Sequence, residues 1–377
     1  MRRRLFLLVC VLVVTACNFG AMTSSPSPAR TPDIKRSKLD IAYSFLVDAD
    51  VHNVSSKKVL QGAVEALKAE ARKTGGPDDF PSLELEDISE PVLADFRKFA
   101  DAAAAFAARN TQLSADRFAD TAIGGMIGAS PDCHTYYVNK DGAGFLSRSE
   151  RVTGSGPRVP AGGTPLASPD ESGLQASLLP GGIAYITFAR FLTTGTYKTH
   201  DEVRKVLDKA LAAGARAWLF DLRGNVGGRE TSVDILISFF LNGEPTLRTV
   251  FRNGPGGTMS ALADLRLPAE YQLPIAIVLN DRGGSGPEVF AAALRENKRA
   301  TLVGQKTVGC VGSANTTRMP DGSQITVVVA ELSGAVTGTA YNNIGVPPDV
   351  QADDASAIDK AIEILKQKIA GVASPTT

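Results

Sequence analysis

The sequence lacks an excess of charge of either sign. Its 377 residues include 40 Lys and Arg and 40 Asp and Glu, so the net charge does not predict binding to nucleic acid or to an acidic membrane surface. The three histidines, His52, His134 and His200, are far apart in the chain and lack the spacing of metal ligands. We found neither a P-loop nor a dinucleotide-binding glycine pattern. We therefore expect no nucleic-acid partner, no metal and no cofactor, and we look for function in a local site.

Long apolar runs are equally scarce. The run over residues 5–14 follows Met-Arg-Arg-Arg and precedes Thr-Ala and Cys17. This is the pattern of a secretory signal, and the run is too short for a spanning helix. A cysteine directly after small residues is typical of bacterial lipoproteins. We predict a signal peptide over 1–16 and a lipidated Cys17 that begins a flexible tether over 17–34. The alternative is an ordinary cleaved signal with an incidental cysteine. The first interpretation predicts an exported protein anchored to a membrane of the cell envelope.

After the tether, the spacing of apolar residues predicts a helical region followed by a region of alternating strands and helices. Apolar residues at helical spacing predict an N-terminal helical domain over 35–150. A stretch rich in Gly, Pro and Ser predicts a linker over 151–180. Strand and helix patterns then alternate over 181–368, which predicts an α/β domain with a mainly parallel sheet covered by helices. A short C-terminal tail over 369–377 completes the chain.

Two glycine-rich segments follow apolar strands and precede helices. Residues 280–288 read Asn-Asp-Arg-Gly-Gly-Ser-Gly-Pro-Glu, which places Ser285 on a strand-to-helix turn beside the free N–H groups of a helix start. Residues 220–228 read Phe-Asp-Leu-Arg-Gly-Asn-Val-Gly-Gly, a loop that could bring a backbone N–H to a substrate carbonyl. Taken singly, the first segment could be a helix cap and the second a tight turn.

Two further segments complete an ordered set. They are Gly-Gln-Lys-Thr-Val-Gly-Cys-Val-Gly over 304–312 and Tyr-Asn-Asn-Ile-Gly-Val-Pro-Pro-Asp-Val over 341–350. Together with the two glycine-rich segments, they resemble the motifs of the C-terminal processing (tail-specific) peptidases and of the related tricorn core proteases, and residues 124–137 match more weakly. The resemblance implies a ClpP/crotonase-like α/β core with a helical N-terminal domain, and a serine-type peptidase. The 151–180 stretch is too short for the PDZ domain that many members carry.

The resemblance implies a base other than the usual one. The processing peptidases use a lysine that corresponds here to Cys310, whereas the tricorn-like branch uses a histidine that corresponds to His134. Imidazole is suited to accept a hydroxyl proton at neutral pH. Asn342 stands where that branch has an orienting Glu, and its amide could still hold an imidazole tautomer. Two alternatives stay open, namely Lys306 as a displaced base and His134 as a structural residue.

The resemblance also assigns the oxyanion hole. It implies that the backbone N–H of Gly286 and that of Gly227 or its neighbour Gly228 bind the oxyanion. The predicted function is an exported serine endopeptidase that hydrolyses envelope or extracellular polypeptides, with Ser285 as nucleophile. The alternative is a catalytically impaired lipoprotein that binds peptides or apolar ligands.

Two cysteines remain for the folded part. Cys10 leaves with the signal and Cys17 carries lipid, so Cys133 and Cys310 are a candidate disulfide in an exported protein. The catalytic assignment implies that both line the same site. The alternative is a pair of free thiols.

Overall fold

The computed structural model describes residues 37–146, 157 and 159–372. The described residues belong to one compact unit. The predicted signal peptide over 1–16, the tether over 17–34 and the lipidated Cys17 lie outside the described residues. Within the described ranges, no helix is both long and apolar enough to cross a membrane.

The N-terminal region is helical, as predicted. Its helices are α1 (Lys38–Ala49), α2 (Ser56–Lys73), α3 (Leu93–Arg109) and α4 (Ala115–Ile127). Serine side chains at Ser37, Ser55 and Ser114 cap three of them by accepting a hydrogen bond from a first-turn N–H. The apolar stripes of the helices meet in one core, to which Phe99, Phe106 and others contribute.

Two sheets and four more helices follow in the described part of the chain. The strands are β1 (Tyr136–Val138), β2 (Gly144–Leu146), β3 (Thr164–Ala167), β4 (Gln175–Leu179), β5 (Ile183–Thr187), β6 (Ala217–Asp221), β7 (Pro245–Phe251), β8 (Gly254–Ser260), β9 (Ile275–Leu279), β10 (Ala300–Gly304), β11 (Gly312–Arg318), β12 (Gln324–Gly334) and β13 (Val350–Gln351). The helices are α5 (Thr199–Ala212), α6 (Glu230–Ser238), α7 (Gly286–Glu296) and α8 (Ala357–Val372).

The larger sheet forms the α/β core that the sequence predicts. Its strand order is β13-β10-β9-β6-β5-β4-β3, and the neighbours from β13 to β5 run parallel. Every residue of β5, β6 and β9 is buried. Such strands must be covered on both faces. Residues of α5, α6 and α7 share the core on one face, and α8 packs on the other.

The structure differs from the linker predicted over 151–180. Residues of β3 and β4 add two antiparallel strands to the edge of the larger sheet. The strands escape sequence analysis because they are short and only partly apolar, and because Pro165 is typical of a loop. Pro165 fits here because β3 is the outermost strand, where a missing N–H costs little. Helix α8 also extends past 368, so residues 369–372 of the predicted tail are helical.

The second sheet joins the helical region to the α/β core. Its central strand β12 pairs with β1, with β11 and with β7. Strands β1 and β2 follow the four helices within residues 35–150, the predicted helical N-terminal domain. Ile325 and Val327 of β12 pack in the core of the N-terminal helices. As a result, the turn after α4 lies against the start of α7.

Candidate active site

Ser285 occupies a strained turn between β9 and α7. Its φ is 68°, a left-handed value that is uncommon for a residue with a Cβ. A Cβ on Gly227 would lie 2.6 Å from the Ser285 Cβ, so only glycine permits this close approach of the 220–228 loop. Strain of this kind persists only where the surroundings enforce it, and it is concentrated at functional sites.

The side chain of Glu288 stabilises the turn that carries Ser285. Its buried carboxylate accepts hydrogen bonds from the N–H of Ser285 at 2.8 Å, of Gly309 at 2.7 Å and of Cys310 at 2.8 Å, and from the Thr307 hydroxyl. Burial raises the pKa of the Glu288 carboxyl, and these donors oppose that shift because they favour the anion. One side chain thus connects the nucleophile turn to the 304–312 segment.

His134 meets the serine hydroxyl. Its Nε2 lies 3.2 Å from the Ser285 Oγ, although 151 residues separate the two in sequence. The turn that presents the ring is fixed by Asp132, whose Oδ1 accepts from the His134 backbone N–H at 2.7 Å. The same Oδ1 lies 3.3 Å from the His134 Nδ1. Lys306, the displaced base considered above, is exposed.

Asp132 is the third member of this chain of contacts. Its side chain is fully buried. Burial acts to raise the pKa of the carboxyl, but hydrogen bonds from His134, His52 and Asn342 outweigh it and hold the pKa well below its usual range. An ionised carboxylate behind an imidazole fixes the tautomer in which Nδ1 carries the proton and Nε2 can accept one.

The expectation for Asn342 therefore needs correction. Its Nδ2 donates to Asp132 Oδ2 at 2.7 Å and to Glu331 Oε1 at 3.1 Å, and its Oδ1 accepts from the Val311 N–H at 3.0 Å. Asn342 thus contacts the carboxylate behind His134. The position next to the imidazole is already occupied by Asp132, because an Asx-type turn places that carboxylate beside the ring two residues later. The Asp-x-His spacing was the sequence signal for this role.

His52 also contacts Asp132 and was not identified from the sequence. Its Nε2 lies 3.3 Å from Asp132 Oδ2, and its Nδ1 lies 3.6 Å from Glu331 Oε1. No spacing signal could have found it, since 80 residues separate it from Asp132. The third histidine, His200, instead contacts Ser232 on α6.

The backbone geometry distinguishes the two candidate oxyanion donors in the 220–228 loop. The N–H of Gly227 already donates to Asn225 Oδ1 at 2.8 Å. The N–H of Gly228 and that of Gly286 donate to no described residue, and both glycines line the cavity beside Ser285. Gly286 is the first residue of α7, where the N–H has no partner within the helix. The geometry thus favours Gly286 and Gly228 over Gly227.

Cys133 and Cys310 form a disulfide with their Cα atoms 5.9 Å apart. It joins the turn that carries His134 to the loop that binds Glu288. Asp132, Cys133 and His134 bring an oxygen, a sulfur and a nitrogen within 4.8 Å of one another. The sulfur is engaged in the disulfide and is therefore not the thiolate that binds metals.

A cavity of about 330 Å³ opens in front of Ser285 and His134. Apolar side chains form part of its wall, namely Val233, Met259, Val289 and Leu332. Residues 312–314 of β11 form another part, and among the described strands β11 pairs only with β12.

The comparisons with known proteins agree with this architecture. Residues 182–352 match the model of peptidase family S41. A carboxyl-terminal-processing protease of a Picosynechococcus species is 30% identical over 44% of this chain and 38% of its own length. One from Synechocystis is 32% identical over 44% of this chain and 37% of its own length. The chain thus spans less than half the length of these curated relatives.

Among solved structures, that of a lipoprotein from Streptococcus agalactiae has a TM-score of 0.50 at 15% identity, covering 69% of this chain and 85% of that one. At this identity the likeness concerns the fold alone. The S41 match spans the nucleophile turn, the 220–228 loop and the 304–312 and 341–350 segments. The chain therefore carries a domain of peptidase family S41, and it is related in sequence to serine-type carboxyl-terminal processing peptidases.

Proposed function

We propose that this protein is a serine endopeptidase in which Ser285 is the nucleophile and His134 the general base. The observation that carries the proposal is the 3.2 Å contact between His134 Nε2 and Ser285 Oγ, with the Asp132 carboxylate on the other ring nitrogen. Nucleophile, base and orienting group lie in the order that activates a hydroxyl.

Each step of peptide hydrolysis has a group that can perform it. His134 Nε2 accepts the Ser285 proton as Oγ attacks the scissile carbonyl, and Asp132 stabilises the imidazolium that forms. The N–H groups of Gly286 and Gly228 donate to the carbonyl oxygen as it gains negative charge. His134 then passes the proton to the leaving amine, and an acyl-enzyme remains. Water deprotonated by the same imidazole releases the second product and restores the hydroxyl.

The cavity supports a polypeptide as the substrate. The unpaired edge of β11 offers backbone groups to an extended peptide, which would add as a further strand. The apolar wall, which includes Val233 and Met259, suits an apolar side chain next to the scissile bond.

The location of the enzyme is part of the proposal. The basic and apolar start of the sequence and Cys17 support export and a lipid anchor, so the substrates would be envelope or extracellular polypeptides. A disulfide between Cys133 and Cys310 is compatible with an oxidising compartment.

Labelling with a fluorophosphonate tests the chemistry, because the probe reacts only with an activated serine. We expect the wild type to be labelled and the variants Ser285→Ala and His134→Ala to be unlabelled. Ser333→Ala is the matched control, since the Ser333 hydroxyl points to the Arg248 carbonyl on β7. An unlabelled but folded wild type would contradict the proposal and favour the binding function instead.

A further inference from the structure

The turn between α1 and α2 brings a second histidine to the catalytic carboxylate. The His52 N–H donates to Asp50 Oδ1 at 2.8 Å, and the neighbouring Val51 N–H donates to the Val328 carbonyl of β12 at 3.0 Å. These bonds fix the backbone on both sides of the ring. The ring is mostly buried, with 16% of the side chain exposed, and its Nε2 lies 3.3 Å from Asp132 Oδ2.

The two oxygens of Asp132 are held by different partners. Oδ1 accepts from the His134 backbone and lies next to the His134 ring, whereas Oδ2 lies next to Asn342 and His52. A carboxylate held at both oxygens cannot rotate about its last bond without breaking a contact. Its orientation in turn sets that of the imidazole that meets Ser285, because the ring follows its hydrogen-bond acceptor.

We propose that His52 is a positioning residue of the Ser285 site, which holds Asp132 from the side opposite His134 and, when protonated, places a positive charge behind that carboxylate. The inference rests on the proposed peptidase function and adds a fourth residue to the Ser285, His134 and Asp132 chain. Asn342 alone could hold Oδ2, but a neutral amide adds no charge.

Three carboxylates near the His52 ring favour its protonated form. Asp132 and Glu331 each lie within 3.6 Å of a ring nitrogen, and Asp50 lies two residues before the ring. The hydrogen bond to Asp132 is the largest cause that raises the pKa of His52, burial opposes it, and the three carboxylates add to the rise. The described carboxylates around the ring therefore favour the imidazolium form of His52.

A charge in this place has a defined effect on the base. A positive charge on His52 behind Asp132 disfavours a second positive charge on His134, because like charges repel. Removing the charge while keeping a hydrogen-bond donor should move the acidic limb of the pH profile upward and lower the plateau only slightly. Removing the donor as well should lower the plateau, because Asp132 loses one of its contacts.

The test uses the rate of fluorophosphonate labelling of the full chain between about pH 5 and 9, which reports the state of the free enzyme. For His52→Gln we expect an acidic limb about 0.5–1 pH unit higher, since solvent screens part of the coupling, and a plateau that falls less than that of His52→Leu. For His52→Leu we expect the same shift and a plateau about 10-fold lower, the loss typical of a broken charged hydrogen bond. Circular dichroism checks that each variant is folded.

A second site keeps the test decisive if His52→Leu does not fold. Glu331→Gln leaves His52 in place, removes one of the carboxylates that favour its charge, and keeps an acceptor for Asn342. We expect a shift of the acidic limb that is smaller than in His52→Gln, because loss of the Glu331 charge also acts directly on His134 in the opposite sense. Glu65→Gln is the matched control, because Glu65 pairs with Lys68 on the exposed face of α2.

The outcomes separate the two levels of the proposal. Wild-type profiles for His52→Gln and Glu331→Gln, in an enzyme that is labelled at Ser285, would overturn the role of His52 and leave the peptidase function standing. An unlabelled wild type at every pH would overturn the peptidase function and this role with it. A shift for the two variants, and none for Glu65→Gln, would support the role.

Discussion

Opening the disulfide between Cys133 and Cys310 should cost both stability and activity. For a loop closed by residues 177 apart, the loop-entropy relation gives about 5 kcal/mol, and loss of a native disulfide commonly costs about 2–5 kcal/mol. We therefore expect the Cys133→Ser, Cys310→Ser double variant to have a free energy of unfolding lower by about 2–5 kcal/mol. Urea denaturation at neutral pH measures this difference.

Activity should fall through geometry as well. Cys133 adjoins His134, and the Cys310 N–H donates to Glu288, which holds the Ser285 turn. A displacement of either by about 1 Å is enough to lose about 100-fold in rate. We expect the double variant to be labelled about 10- to 100-fold more slowly while it remains folded.

The wild type in a dithiol reductant should match the double variant, and the double variant itself should not respond to the reductant. Equal urea midpoints for wild type and double variant would refute the stability argument. Alkylation of both thiols in the wild type, unreduced and purified under oxidising conditions, would show that the disulfide is not formed in solution.

Three further predictions follow from single residues. Asp132→Asn should lower kcat/KM by about 10⁴-fold, because an amide can hold the wrong tautomer of His134, and a pH-rate series measures it. The pKa of Asp132 is depressed in the folded protein, so its ionised carboxylate stabilises the fold above about pH 3.9. This contribution is lost as the pH falls through the lower pKa of the folded state. Acid unfolding should therefore depend less steeply on pH in Asp132→Asn. Gly227→Ala should abolish fluorophosphonate labelling with little change in circular dichroism, because its Cβ would lie 2.6 Å from the Ser285 Cβ. Cys17→Ser should move the protein from the membrane fraction to the soluble fraction, and retention in membranes would contradict the lipid anchor.

The sequence predicts the α/β core well because its signals are local. The apolar strands β5, β6 and β9 are each continuous and buried, so their residues identify them without tertiary information. Strands β3 and β4 lacked such a signal, since edge strands tolerate Pro165 and need few apolar residues. Their place in the sheet depends on pairing with β5, which no local pattern records.

The residues of the active site also differ in how well the sequence predicts them. Ser285 and the glycines of the 220–228 loop lie within ordered motifs, and His134 could be found through the resemblance. The resemblance predicts Asn342 as the residue that orients His134, whereas the structure places Asp132 beside the ring. His52 could not be found at all, because its contact with Asp132 depends on how α1 and α2 pack against β12.

The peptide group of Val328 in the middle of β12 has a consequence for biosynthesis. Its N–H donates to the Thr135 hydroxyl oxygen next to the His134 turn, and its carbonyl accepts a hydrogen bond from the Val51 N–H next to His52. Asn342, which is 210 residues beyond Asp132, completes the site from the other side. A chain that emerges from its N-terminus therefore has both His134 and Ser285 before it has Val328 and Asn342, which complete the contacts around the base. We therefore expect Ser285 to stay unreactive toward a fluorophosphonate during synthesis until the last third of the chain has folded onto the first.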